Sequence, residues 1–283
     1  MTRYYVKDYM TLDPVVVHPN DSLIHVRKLM LRYNVNRVIV IEDSKPIGIF
    51  TQKDFARVIL EGIENEHDID EVLVKDVMTK NIITTYPDES LVDAARTMVN
   101  KAISSLVVLD PEDETLEGIL TKTDLCNFYK DKCAGLALVR EFMTENVVTV
   151  KPYHSAMKVI DLLARYNISR IVVVEKRKPV GIITIRDVTF SSPFIMREYH
   201  LRKAKYIRER GRRGVVKVPL IPLAEDLMTP DPITVRDNED LVSAARLMIH
   251  HGISGLPVVN EKEDLVGIVT KTDIVRAITA RVK

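Results

Sequence analysis

GIVTKTD, Gly267 to Asp273, begins as a buried β-branched strand and ends as the start of an amphipathic helix. Thr270 followed by Asp273 has the form of a capping box, which satisfies helix N-terminal amides without any ligand. Three siblings lie upstream: GIFTQKD (Gly48–Asp54), GILTKTD (Gly118–Asp124) and GIITIRD (Gly181–Asp187). Capping accounts for Thr51, Thr121, Thr184 and Thr270 and for Asp54, Asp124, Asp187 and Asp273. Yet Ser, Asn or Glu would serve those roles as well and appear in none of the four. Capping also leaves Gly48, Gly118, Gly181 and Gly267 unexplained, since glycine inside a strand weakens it. Such a glycine is expected where another group approaches the backbone closely. A Thr hydroxyl beside helix N-terminal amides offers a place for a phosphate, and a carboxylate suits the diol of a ribose. Two readings stand at this point, a helix cap alone or a nucleoside phosphate site.

Working outward, each element closes one copy of a larger unit. The copies open VKDYMTLDPVVVHPNDSL at Val6, VKDVMTKNIITTYPDESL at Val74, VREFMTENVVTVKPYHSA at Val139 and LAEDLMTPDPITVRDNED at Leu223. A Met-Thr pair therefore recurs at Met10, Met78, Met143 and Met228. In the first copy, Val15–Val17 is a short strand and Pro19-Asn20-Asp21 supplies a turn and a helix N-cap. Leu23, Val26, Leu29, Met30 and Tyr33 form one helical stripe, ended by Asn34 in a left-handed cap. Val38–Ile41 and Ile47–Phe50 are two strands about the turn Glu42–Pro46, and a second helix follows Thr51. The unit is β-α-β-β-α, too small to be stable alone, so units should pack in pairs.

The 283 residues are 46% hydrophobic and 29% charged, with a formal net charge of +1, which by itself gives no reason to invoke nucleic acid. That balance conceals an asymmetry. Between Ser191 and Lys217, nine Lys and Arg stand against two Glu, a local charge of +7 that leaves the rest of the chain at −6. Cys126 and Cys133 have no partner at metal spacing and are expected to be free thiols in a reducing compartment. The opening MTRYYVKDYM lacks an apolar leader and no stretch is long enough to span a bilayer, so a soluble, cytoplasmic protein with no membrane partner is expected.

The repeated unit resembles the cystathionine-β-synthase (CBS) domain, whose paired form, the Bateman module, binds adenosine-containing ligands between two repeats. The resemblance covers nearly the whole chain outside the basic insertion, and four repeats in order also resemble the γ-subunit family of AMP-activated protein kinase. It implies an α/β (α+β) fold of four β-α-β-β-α repeats forming two Bateman modules packed as a flat disc. Repeats are expected at 6–60, 74–130, 139–190 and 223–280, with a basic helical insertion at 191–222 between the last two. It further implies AMP, ADP or ATP as ligands, with S-adenosylmethionine as the alternative. By the same resemblance Asp54, Asp124, Asp187 and Asp273 hold ribose hydroxyls, and Thr51, Thr121, Thr184 and Thr270 lie near ribose or phosphate. The family's Gly-to-Pro partner motif is complete only in GISGLPVV, Gly252 to Val259; the other copies read NVNRVIVI, AISSLVVL and NISRIVVV. Arg37 and Arg170 occupy a position where the family often carries a phosphate-contacting base, while repeats 2 and 4 have Ser105 and Gly255. Each Arg either contacts phosphate or pairs with an acid of a neighbouring repeat.

Phe194 to Arg210 is readable as a basic helix, carrying Arg197, Arg202, Lys203, Lys205, Arg208 and Arg210, with Arg212 and Arg213 in the turn beyond. Interleaved with Tyr and His, these residues suit RNA, including ribosomal RNA; a solvated helix, or one packed on the acidic remainder or on a homodimer partner, is the alternative. The scattered histidines lack a paired nucleophile and no Walker element is present, so no catalytic residue, catalytic cofactor or metal is assigned. The expectation is a non-enzymatic, nucleotide-sensing regulator acting on a protein partner. An RNA- or ribosome-binding factor of the translation-silencing type is the second reading, and an S-adenosylmethionine sensor or reservoir the third.

Overall fold

The computed structural model describes residues 3–65, 72–190 and 222–282. Four small sheets appear, one per repeat. Repeat 1 runs β1 (Val16–Val17), α1 (Leu23–Arg32), β2 (Arg37–Glu42), β3 (Lys45–Thr51) and α2 (Gln52–Asn65). Repeat 2 follows with β4 (Thr84–Thr85), α3 (Leu91–Asn100), β5 (Ser105–Leu109), β6 (Leu116–Thr121) and α4 (Lys122–Lys132). Repeat 3 has β7 (Thr149–Val150), α5 (Ala156–Arg165), β8 (Arg170–Glu175), β9 (Lys178–Thr184) and α6 (Ile185–Phe190). In repeat 4 a lead-in strand β10 (Thr229–Pro230) precedes β11 (Val235–Arg236), α7 (Leu241–His250), β12 (Gly255–Val259), β13 (Leu265–Thr270) and α8 (Lys271–Arg281). The first strand of each sheet is parallel to the second, as in Thr84↔Val107, and in repeats 2, 3 and 4 the second is antiparallel to the third, as in Val107↔Ile119. That is the β-α-β-β-α order expected from the sequence.

Local chemistry sets the helix ends. The cap of α1 is Ser22, whose Oγ accepts the His25 N–H, while Asp21 accepts the N–H of His18 instead. Each first helix ends on a left-handed residue: Asn34, Ala102, Asn167 and Gly252 have φ of 51°, 53°, 48° and 64°. Ala102 alone among them has neither glycine's freedom nor an Asn side chain to ease that conformation.

The Met-Thr pairs, unexplained by the helix and strand pattern, turn out to be exchanged between repeats. Thr11 of repeat 1 bridges Ile119 of repeat 2, each N–H donating to the other's carbonyl at 2.9 Å. Thr79 of repeat 2 bridges Ile49 of repeat 1, Thr144 bridges Ile268, and Thr229 and Pro230 pair with Ile182 and Gly181. Each neighbouring Met then lies on the partner's strand glycine. A Cβ on Gly267 would meet Met143 Sδ at 2.6 Å; one on Gly48 would meet Met78 Sδ, and one on Gly181 would meet Met228 Sδ, closer still. A Cβ on Gly118 would meet the Thr11 carbonyl oxygen at 2.7 Å. The group that approaches these four glycines is therefore another repeat's lead-in.

The chain divides into two compact units that do not follow chain order: Met1–Phe50, Val72–Val147 and Pro232–Lys283 form one, Thr51–Glu71 and Val148–Asp231 the other. In the first, α3 packs on α8 and α7 on α4, with α4 also against α8. Small residues at matching positions, Ala94 and Ala95 in α3 and Ala244 and Ala245 in α7, are fully buried there with Leu91, Met98, Leu241 and Met248. Burial of each Leu or Met side chain contributes about 2 kcal/mol. Cys126 and Cys133 are free and buried in this core, which pushes their thiols up to about 12 and about 11. In the second unit α2 packs on α6. Among the described residues no helix is long and apolar enough to cross a membrane.

Two substitutions test these contacts by chemical denaturation. Gly118→Ala is expected to cost about 1–3 kcal/mol, because a backbone carbonyl stands where the methyl must go. Gly48→Ala should cost less, its neighbour being a flexible Met; equal costs would contradict the packing described. Ala102→Gly should stabilise by roughly 1 kcal/mol through relief of the left-handed conformation, and no gain would contradict it.

Candidate functional site

All four Thr-x-x-Asp elements form one geometry. The Thr N–H and hydroxyl both donate to Oδ2 of the Asp three residues on: 2.9 and 2.6 Å from Thr51 to Asp54, and 2.7 and 2.7 Å from Thr121 to Asp124. The distances are 2.7 and 2.7 Å from Thr184 to Asp187, and 2.8 and 2.8 Å from Thr270 to Asp273. The same hydroxyls accept helix N–H groups, from Thr123 at 3.1 Å and Thr272 at 3.2 Å in repeats 2 and 4, and from Asp54 and Asp187 at 3.4 Å in repeats 1 and 3. The cap is real. It consumes one oxygen of each carboxylate and leaves Oδ1.

What faces Oδ1 differs between repeats. Arg57 Nη2 reaches Asp54 Oδ1 at 3.4 Å, and Arg276 Nη1 reaches Asp273 Oδ1 at 3.2 Å. Among the described residues nothing is bonded to Oδ1 of Asp124 or Asp187. Asp273 is 4% exposed. Burial pushes the carboxyls of Asp124 and Asp273 above their ordinary value, against the pull of the Thr hydrogen bonds and of Arg37 and Arg276 respectively.

The lead-in exchange brings residues of different repeats into one place. Arg37 of repeat 1 donates through Nη1 to the Ser104 carbonyl of repeat 2 at 2.6 Å, and its charge acts on Asp124. Burial lowers this guanidinium to about 10, an effect Asp124 opposes. Arg37 thus stands with repeat 2 and acts on the carboxylate of Asp124. Arg170 donates to Ser169 Oγ at 3.3 Å. Repeats 2 and 4 are joined by a reciprocal pair, Lys122 Nζ to Thr272 Oγ1 at 3.0 Å and Lys271 Nζ to Thr123 Oγ1 at 2.9 Å. Those four residues were not picked out from the sequence, although TKTD occurs identically in these two repeats and not in the others. The basic residues from Arg197 to Arg213 lie outside the described residues.

The CBS-domain family model matches residues 6–61, 74–131, 139–192 and 224–280. The chain belongs to the CBS-domain family. Protein MJ1225 of Methanocaldococcus jannaschii is 24% identical over 278 residues, covering 93% of this chain and 94% of that one. Its crystal structure, described as that of a candidate archaeal homologue of the AMP-activated protein kinase γ subunit, has a TM-score of 0.80 at 21% identity, covering 96% and 99%. A conserved Pyrococcus horikoshii protein has the same fold at a TM-score of 0.66 and 19% identity, covering 97% and 100%. The inosine-5′-monophosphate dehydrogenase of Korarchaeum cryptofilum is 28% identical over 203 residues, 67% of this chain but 37% of that enzyme. All four CBS repeats, by their shared cap geometry, present a carboxylate at a helix start.

The buried carboxyls give a signed pH dependence. Native Asp124 and Asp273 bind protons more tightly than the ordinary 3.8. Their contribution to stability is therefore full below that value and falls as pH rises through the raised native one. Asp273→Asn should flatten this part of the curve of unfolding free energy against pH; an unaltered slope would contradict the assignment.

Proposed function

We infer that this CBS-domain protein is a regulatory adenine-nucleotide binder, taking AMP, ADP or ATP between repeats and passing the occupancy on to a macromolecular partner. One observation carries the reading: Arg37 of repeat 1 donates to the Ser104 carbonyl, which also accepts the Lys122 N–H at the start of α4, so its charge acts on Asp124. A guanidinium fork is suited to phosphate oxygens, and an unused carboxylate oxygen beside it to a ribose hydroxyl. The Thr121 cap holds Asp124 in place without consuming that oxygen. Asp54, Asp187 and Asp273 are the corresponding ribose ligands, with those of repeats 1 and 4 requiring Arg57 or Arg276 to give way. Binding between repeats shifts populations only by the difference in affinity between packing states, and the shared helices supply such states. CBS repeats act generally as regulatory parts, and no catalytic role is proposed for this chain.

Calorimetry decides it. AMP, ATP, adenosine and S-adenosylmethionine are titrated into the full chain and into Asp124→Ala and Arg37→Gln. Asp124→Ala should weaken AMP and adenosine alike by about tenfold or more, while Arg37→Gln should weaken AMP and spare adenosine. Unchanged AMP isotherms in both variants would sink the reading. Tighter binding of S-adenosylmethionine than of any nucleotide would replace the ligand class.

A further inference from the structure

Repeat 3 differs from its siblings at the end of the sheet where β7 gives way to α5. In repeats 1 and 4 an acid before the helix, Asp21 or Glu239, accepts the N–H of the residue three before it, His18 or Arg236. His154 holds that position in repeat 3, and its Nδ1 accepts the Lys151 N–H at 3.1 Å. A neutral imidazole that accepts at Nδ1 carries its proton on Nε2. Nε2 lies 3.3 Å from Lys158 Nζ. Two donors at that distance can share one acceptor oxygen placed between them. Burial first, then the charges of Lys158 and Lys151, hold this imidazole below its ordinary pKa and so keep it neutral.

The surroundings are cationic and aromatic. Val150 pairs in parallel with Val173, so Lys151 leaves the sheet at the same end as the turn Lys176–Arg177. Lys151, Lys158, Lys176, Arg177 and Lys178 stand at this end against Glu175, Glu225 and Asp226, and one oxygen of Asp226 is held by the Leu223 N–H. At the positions of Lys151, His154 and Lys158, repeat 2 has Tyr86, Glu89 and Asp93. Tyr153 is 69% exposed and sits at 78° to the His154 ring, centroids 5.3 Å apart. Pro222, the first described residue after the basic stretch, accepts the Ala156 N–H here at 2.8 Å.

A carboxylate or a phosphate oxygen fits between the two donors, and a nucleic acid pairs such a phosphate with a base able to stack on the exposed ring. We propose that this end of repeat 3 binds single-stranded RNA, one backbone phosphate bridging His154 Nε2–H and Lys158 Nζ, with Lys151 adding charge and a base stacking on Tyr153. The site uses none of the residues from 191 to 221 and none of the nucleotide-binding residues.

The test is fluorescence anisotropy with a labelled single-stranded RNA of about 12 nucleotides and the full chain, between roughly 50 and 200 mM salt. His154→Glu with Lys158→Glu installs an acid at the cap position, as the siblings have, so the helix start is retained. The double variant should bind at least about tenfold more weakly, with the slope of log affinity against log salt reduced by about 0.7. Tyr153→Ala should lose about tenfold. An unchanged thermal midpoint and AMP isotherm separate this loss from misfolding and from failure of the nucleotide reading. Undiminished RNA binding in the double variant, or none by the wild type at low salt, overturns the proposal. So does a poly-glutamate peptide that binds as well as RNA and ignores Tyr153→Ala, which would assign the surface to an acidic protein.

Discussion

The exchange of Met-Thr lead-ins is the contact on which the rest of the fold depends. A repeat of about 55 residues buries too little to stand alone. Here each repeat lends its first segment to a partner and receives one in return, hydrogen-bonded at the Thr and packed at the Met. The strand glycines follow from this: a side chain on Gly118 would collide with Thr11 backbone, and one on Gly267 with Met143. The reach of Arg37 into repeat 2 also follows, because the exchange holds the two repeats in register. Composition adds a second layer, since the alanines of α3 and α7 are small enough to let those helices close onto α8 and α4.

The opposition between a helix cap and a ligand site dissolves once the carboxylate is counted as two oxygens. Oδ2 closes the cap in all four repeats, and Oδ1 is what varies. The carboxylate is held rigidly, because the Asp rotamer is fixed by two hydrogen bonds from Thr. The cost is a desolvated charge, visible in the raised carboxyls of Asp124 and Asp273. Ligand hydroxyl groups that hydrogen-bond to such a carboxylate stabilise its charged form, so binding and deprotonation reinforce each other.

Much of the fold was legible because the repeat is its own control. Four copies fixed the β-α-β-β-α order, the left-handed positions at Asn34, Asn167 and Gly252, and the Thr–Asp pairing. The strand glycines marked a close approach correctly, but not the approaching group, since a Met about 30 residues or more away in sequence carries no local sign of its destination. For the same reason the sequence leaves Arg37 between phosphate contact and an acid of a neighbouring repeat, without naming which acid. Local patterns encode which residues are unusual; long-range exchange decides what they meet. The sequence signals the reciprocal contact of Lys122 and Lys271 only through the shared TKTD.

The charge distribution shows how the repeats vary one end of a sheet while keeping the other. In repeat 1 an acid accepts the loop N–H at the first helix, and an acid stands at the same place in repeats 2 and 4, whereas repeat 3 keeps an acceptor there but takes it from an imidazole. Replacing a carboxylate by a neutral ring leaves the local fold unchanged while removing one negative charge and exposing a donor. Lys158 then stands one turn along where repeat 2 has Asp93. Because the cap hydrogen bond is conserved through the change, such a surface varies freely between repeats without disturbing the Thr–Asp geometry at the opposite end of the same sheet. Electrostatic identity and Thr–Asp geometry are thus set by residues at opposite ends of one small sheet, and each is open to alteration without the other.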